Sequence, residues 1–258
     1  MSFLRRPGLR PLIAAEVISS LGSQMTFLAL PWFVLATTGS AAKMGIVLAV
    51  ELTPVALLGI PSGTVVSRLG ARRTMLYGDL ARAPLMASIP LLHAAGWLSF
   101  GALLAIVAVI GVFLAPYFAA QRLVLPELVG EEEHVVAQAN AVVEGAQRAT
   151  ALLGPATAGV LIAVVGATNV LYVDAATFLV SFAILALFVP QRAPRPAGEQ
   201  GRGVLAGVRF VLRDRMLTTL GGTALLANAF GQMLAAGLPV LAFEEFGGSS
   251  RVAGAFFA

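Results

Sequence analysis

Asp79 and Arg82 stand three residues apart inside the apolar run 74–92, and Glu51 stands inside the run 42–66, three residues before Pro54. A charge in the middle of a long apolar segment is costly, so each such residue is paired, neutralised or used. On a helix, residues three apart share a face, and Asp79 and Arg82 would partly neutralise each other there. Such a pair either fixes helix packing or takes part in gating and coupling. Arg82 keeps its proton in both cases, whereas Asp79 would exchange one only when its partner moved away. Glu51 has no partner in its own run, which leaves it three roles: a proton carrier, a contact for a cationic ligand, or a packing residue. Glu144 and Arg148 lie four apart, the spacing of a helical ion pair. They form either a self-contained pair or a contact between helices at a gate. Glu16 and Asp174 lie nearer the ends of their runs, and both are expected to reach the membrane interface. "GEEEH", 130–134, reads as a solvated cap before the next run.

Other chemistries lack their residues. The chain has no cysteine and two histidines, His93 and His134, so no metal-ligand spacing arises. No Ser/His, Cys/His or His/Glu constellation falls within the runs, which disfavours an enzyme. No Gly-x-x-x-x-Gly-Lys-Ser/Thr loop is present, so neither ATP hydrolysis nor any organic cofactor is expected.

The elements that must carry these charges follow from composition. Of 258 residues, 58% are hydrophobic and 12% charged, against about 25% charged in soluble domains. Too little polar material exists for the shell of a soluble core. A bilayer core needs about 20 helical residues per crossing. Runs of that kind fall at 12–37, 42–66, 74–92, 98–119, 140–165, 170–189 and 216–242, with an eighth starting near Val252. They lack the period of two that barrel strands would show. The expected fold is an all-α membrane protein, a helical bundle of about 7–8 spans. The first run, behind "MSFLRRPGLRPL", is long enough to span and is read as a retained helix rather than a cleaved signal.

Arginine placement sets the orientation. With the N-terminus cytoplasmic, thirteen of the 17 basic residues fall in cytoplasmic segments and two, Lys43 and Arg251, fall outside. That asymmetry orients multi-span proteins. It also accounts for the net charge of +4 without a nucleic-acid partner. The polar segment 190–215 begins rich in Pro and Gly and reads as a cytoplasmic linker. Its second part, with Arg209 and Arg213 four apart, suits a helix on the membrane surface. "QMTFLALP", 24–31, returns as "QMLAAGLP", 232–239, at the first span on either side of the linker. Duplicated transporter halves show such internal repeats. The chain therefore divides into a six-span half at 1–189, the linker at 190–215, and the opening of a second half at 216–258.

Two motifs are more specific. Between the second and third runs, Gly63, Ser67, Arg68, Gly70, Arg72 and Arg73 form a glycine- and arginine-rich turn. It resembles the loop signature of the major facilitator superfamily, commonly Gly-x-x-x-Asp-Arg-x-Gly-Arg-Arg. Ser67 stands where that pattern has aspartate, and Ala71 where it often has arginine. If the family's latch depends on the missing charge, this loop closes a looser cytoplasmic gate, or Asp79 serves in its place. In the fifth run, "TALLGPATAG" is similar to the family's antiporter signature through Gly154, Pro155 and Gly159, with Thr150 and Ala158 replacing customary glycines. Pro155 would bend the helix, and the small residues would let another span approach. With "ALPWFVL", "DLARA", "LPELVGEEE" and "VDAATFLVS", the chain resembles the bacterial drug- and siderophore-exporter branch related to the enterobactin exporter and macrolide efflux proteins.

That resemblance implies a bacterial inner-membrane transporter, monomeric when full-length. It would export amphipathic small molecules against a proton flux by alternating access, with Glu51 or Asp79 as the coupling carboxylate. The rival expectations are a facilitator that imports a solute and a truncated membrane protein that transports nothing.

Overall fold

The computed structural model describes residues 8–129, 133–191, 213–245, 252–253 and 255. Within them lie seven long helices: α1 (Leu9–Thr38), α2 (Ala41–Leu69), α3 (Ala71–Ala94), α4 (Phe100–Val129), α5 (Glu133–Val165), α6 (Ala167–Phe188) and α7 (Arg215–Glu245). Of the expected linker 190–215, residues 192–212, which hold most of its expected surface helix, lie outside the described residues, as do 130–132 of the acidic cap; Arg215 already opens α7. Around the expected eighth span, Val252, Ala253 and Ala255 are described and helical.

Five helices are long and apolar enough to cross a membrane by length and composition: α1, α2 as far as Gly59, α4, α5 from His134, and α6. The sequence count of seven to eight spans exceeds these by α3, α7 and the segment at 252. α3 is 24 residues long but carries Arg72, Arg73, Asp79 and Arg82, which lowers its hydropathy without shortening it.

Very short turns alternate the helix directions. Gly70 alone joins α2 to α3, and Gly166 alone joins α5 to α6. Gly70 sits at φ 84°, a left-handed conformation that a side chain would oppose. Its N–H still closes the last turn of α2 on the Val66 carbonyl at 2.8 Å. At the opposite end, Ser40 Oγ accepts from the Lys43 N–H at 3.3 Å and caps α2.

The two helices that overrun their apolar runs furthest do so on the same side. α4 continues to Val129 and α5 begins at Glu133, where the runs stop at 119 and resume at 140. At 1.5 Å per residue these overhangs project about 15 Å and about 10 Å. They lie at the end that carries the Gly70 turn and its arginines.

α1 is the central helix. It packs on α6, α5 and α2, while α2 pairs with α4, and α3 lies against α6 and α4. The buried apolar side chains form two clusters. One holds Leu28, Phe33, Met44, Ile89, Val107, Leu171 and Phe178. The other, toward the Gly70 end, holds Leu12, Val66, Met75, Tyr117, Val124 and Leu185. Between them α1, α3 and α6 bury polar groups: Glu16, Ser19, Asp79, Arg82 and Ser181. Large apolar side chains such as Leu57, Val164 and Leu187 face outward at 69–75% exposure. A water-facing surface would not tolerate that pattern, but a lipid-facing one is built from it.

Candidate functional site

The polar layer is the candidate site, and Asp79 and Arg82 are at its centre. Their positions on α3 bring Arg82 Nη2 to 2.8 Å from Asp79 Oδ1, with 2% and 0% of the side chains exposed. The second oxygen, Oδ2, accepts from Ser181 Oγ of α6 at 2.7 Å. Arg82 Nε donates to the Gly78 carbonyl of its own helix at 3.2 Å. The guanidinium lies over the rings of Tyr117 and Phe178, 4.0 and 4.3 Å from their centroids. This places a cation between two π faces, in addition to its carboxylate. Gly78 permits the arrangement, since a Cβ there would strike the Tyr117 ring. Tyr117 in turn donates a long hydrogen bond, 3.4 Å, to Ser19 Oγ of α1. One buried ion pair thus joins α1, α3, α4 and α6.

Nearer the opposite face, Asp174 of α6 is fully buried. Thr26 Oγ1 of α1 donates to its Oδ2 at 2.6 Å. Thr177 Oγ1 lies 3.2 Å from Oδ1 and 2.7 Å from the Asp174 carbonyl. The expectation that Asp174 reaches the interface is therefore incorrect. It faces α1 at Gly22, where a Cβ would overlap both Thr177 Oγ1 and Asp174 Oδ1. The expectation for Glu16 is corrected too. Its side chain is 3% exposed, and Oε2 has no hydrogen-bond partner. α1 begins at Leu9 and lies against α5, so position 16 falls in that interface, beside Ser20 and Gln147. Glu51 is half-buried on α2 and interacts through space with Asp174. Its backbone carbonyl lies against Gly111 of α4.

The loop motif divides by role. Arg72 reaches α6, where Nε donates to the Leu185 carbonyl at 3.1 Å and Nη2 to the Ala186 carbonyl at 2.9 Å. It thereby caps carbonyls that the helix end leaves without partners. Gly63 lies in open space, and Arg68 and Arg73 are exposed. Ser67 is also exposed, and its hydroxyl turns back to the Thr64 carbonyl at 2.9 Å. Asp79 does not substitute for a carboxylate there. It lies about 12 Å along α3 from the turn and is committed to Arg82 and Ser181.

In α5, Gly154, Pro155, Ala158 and Gly159 are all buried. A Cβ on Gly154 would strike Gln24 of α1, so this small-residue face sets how closely α5 and α1 approach. Glu144 and Arg148 form a 2.8 Å pair with 64% and 80% of their side chains exposed. It is a pair within one helix.

The Asp79–Arg82 pair is legible from its spacing, whereas the hydroxyls beside the buried acids are not among the expected site residues. Their signal is helical spacing from an acid already singled out: Thr177 and Ser181 after Asp174 on α6, and Ser19 and Thr26 after Glu16 on α1. Each set marks one face.

Residues 12–258 match the Major Facilitator Superfamily profile. The chain is 31% identical over 242 residues to the multidrug efflux pump Tap of Mycolicibacterium fortuitum, covering 88% of this chain and 58% of that one. It is 28% identical over 228 residues to Tap of Mycobacterium tuberculosis, covering 84% and 54%. It is also 23% identical over 226 residues to the uncharacterized MFS-type transporter YvqJ of Bacillus subtilis, covering 84% and 53%. The chain thus spans somewhat more than half the length of each of these relatives. With its multi-pass helical architecture and its match over nearly the whole chain, this protein belongs to the Major Facilitator Superfamily.

Proposed function

We propose that this chain forms the N-terminal half, and the opening of the second half, of a proton-coupled exporter in the bacterial inner membrane. The substrates would be amphipathic small molecules, drugs or siderophore-like metabolites, moved by alternating access by a monomer of the full-length protein. The observation that carries the reading is the buried polar layer, in a chain whose similar relatives include multidrug efflux pumps. A charge at the centre of a membrane helix costs about 2.5–3.5 kcal/mol on insertion scales. Conformational switching needs groups whose charge differs between states, and the layer supplies carboxylates for that purpose. Glu51, half-buried and without a bonded cation, is the preferred coupling group of the two expected from sequence. Asp79 would take part only in a state that separates it from Arg82. The arginine count supports an N-terminus and a Gly70 turn on the cytoplasmic side. There Arg72, bonded to the end of α6, would hold the loop of the cytoplasmic gate.

Everted vesicles carrying the full-length protein test this reading. Substrate should accumulate when a proton gradient is present and leak out after an uncoupler is added. Glu51→Gln should lower drug protection in a susceptibility panel by at least tenfold. If Glu51→Gln and Asp79→Asn both protect as well as the parent, neither carboxylate couples transport.

A further inference from the structure

We propose that α2, α3 and α4 form a site for an anionic phospholipid, with one acyl chain in the groove between α2 and α3 and the headgroup phosphate on Arg68. The site does not depend on the direction or the coupling of transport.

The groove follows from how the three helices pack. Gly70 alone joins α2 to α3, so the two start side by side. Beyond that turn they hardly touch each other, and both pack on α4. The gap between them is a groove of about 220 Å³. Val65 and Leu69 form its α2 wall, Tyr77 its α3 wall, and Val112 and Phe113 of α4 its floor. Val65, Leu69, Tyr77 and Val112 are each at least 38% exposed, so the groove opens on the outside of the bundle. On a chain that crosses a bilayer, that surface meets lipid.

The walls select a run of methylenes. Two hydroxyls lie along the groove, Ser62 and Thr74, and both are committed inside their own helices. Ser62 Oγ donates to the Leu58 carbonyl at 2.5 Å, and Thr74 Oγ1 to the Gly70 carbonyl at 2.9 Å. Only the Tyr77 hydroxyl is left among the side chains of the walls. Sites for drug-sized molecules usually measure about 300–1,000 Å³ and aim several polar groups at the ligand. This groove is smaller and lacks those groups, so it suits an alkyl chain rather than a drug.

The charge at its end selects the headgroup. Arg68, Arg72 and Arg73 surround the Gly70 turn. Arg72 is bonded to the α6 carbonyls, and Arg73 Nε donates to the Gln191 side-chain oxygen at 3.0 Å. Arg68 is exposed and, among the described residues, has no hydrogen-bond or ion-pair partner. It adjoins Leu69 and stands about one turn beyond Val65, which sets it beside the end of the groove. A guanidinium presents paired donors that match phosphate oxygens. No acidic residue occurs between Glu51 and Asp79 to compete for it. Ser67, the departure from the loop signature, has the same consequence. Where that pattern has a carboxylate next to the arginine, this chain has a hydroxyl turned back to Thr64, and the charge of Arg68 stays available to an anion.

Native mass spectrometry of the purified protein tests the site. The protein is stripped of lipid, then given equal amounts of phosphatidylglycerol and phosphatidylcholine with the same acyl chains. The parent should retain phosphatidylglycerol in preference by about fivefold, the effect of one basic group near an anionic headgroup. Arg68→Gln should still retain lipid but bring the two headgroups close to parity, and Ser67→Asp should lower the preference too. Val65→Trp should fill the groove and abolish retention of both lipids. Val112→Trp should do the same from the floor, which keeps the test informative if either variant does not fold. Leu187→Trp, at a lipid-facing position on α6, should retain lipid as the parent does. Equal retention of both headgroups by the parent would overturn the proposal, as would retention unchanged in both groove variants or equally lost in Leu187→Trp. Displacement of the phospholipid by an excess of an amphipathic drug would make the groove a drug site and overturn it as well.

Discussion

At the residue scale, the Asp79–Arg82 pair shows how a membrane interior keeps a charge. Each member is 2% exposed or less, and the partners supplied by α4 and α6 leave the guanidinium between two rings. Removing one member of a buried pair costs about 3–5 kcal/mol, because the other charge is left uncompensated. Arg82→Met should therefore lower the stability of the purified chain by about that much in thermal or denaturant unfolding. Adding Asp79→Asn to it should restore most of the loss, since the pair is then replaced by neutral groups. If the double variant is no better than the single one, Arg82 acts through its ring contacts rather than its charge. The spacing in the sequence was enough to expect this pair. It did not disclose Ser181, Tyr117 or Phe178, because contacts between helices depend on rotation and register, which no single run encodes. Glu16 and Asp174 were misplaced for a related reason. Distance from the end of an apolar run suggested exposure, but the facing helix decides burial.

At the element scale, glycines on one helix separate packing from propensity. Gly154 and Gly145 both lie in α5. A Cβ on Gly154 meets Gln24, while one on Gly145 meets nothing within 4 Å. Gly154→Val should push α5 from α1 and cost about 1–3 kcal/mol, the usual range for overpacking. Gly145→Ala should be neutral or stabilise by up to about 1 kcal/mol through helix propensity. Unfolding curves of the two variants side by side check both statements, and equal effects would mean that the α1–α5 approach is not set by Gly154. The small-residue motif was legible in sequence as a packing face. Its partner helix was not, because any of the other spans could have presented the complementary surface.

At the scale of the whole molecule, the helix directions and the arginine count together make one topological claim. The turn at Gly39 and Ser40 lies at one end of the bundle, and the Gly70 turn lies at the other. The two longest helix overhangs beyond the apolar runs, those of α4 and α5, fall on the Gly70 side, the side of Arg68, Arg72 and Arg73. A polar helical extension is stable in headgroups and water but not in hydrocarbon, and basic residues accumulate on the cytoplasmic side. The two signals are independent, since one comes from backbone length and the other from charge. They agree on the orientation expected from the sequence, with Gly70 inside the cell and Ser40 outside, which sidedness labelling tests. The chain contains no cysteine, so single introduced thiols can report sidedness without background. Ala42 and Arg73 are both exposed in the bundle. In intact cells lacking the outer-membrane barrier, a membrane-impermeant maleimide should label Ala42→Cys and leave Arg73→Cys unlabelled until the membrane is broken. The reverse pattern would invert the bundle, place the Arg72–α6 contact outside the cell, and remove the cytoplasmic gate from the proposed cycle.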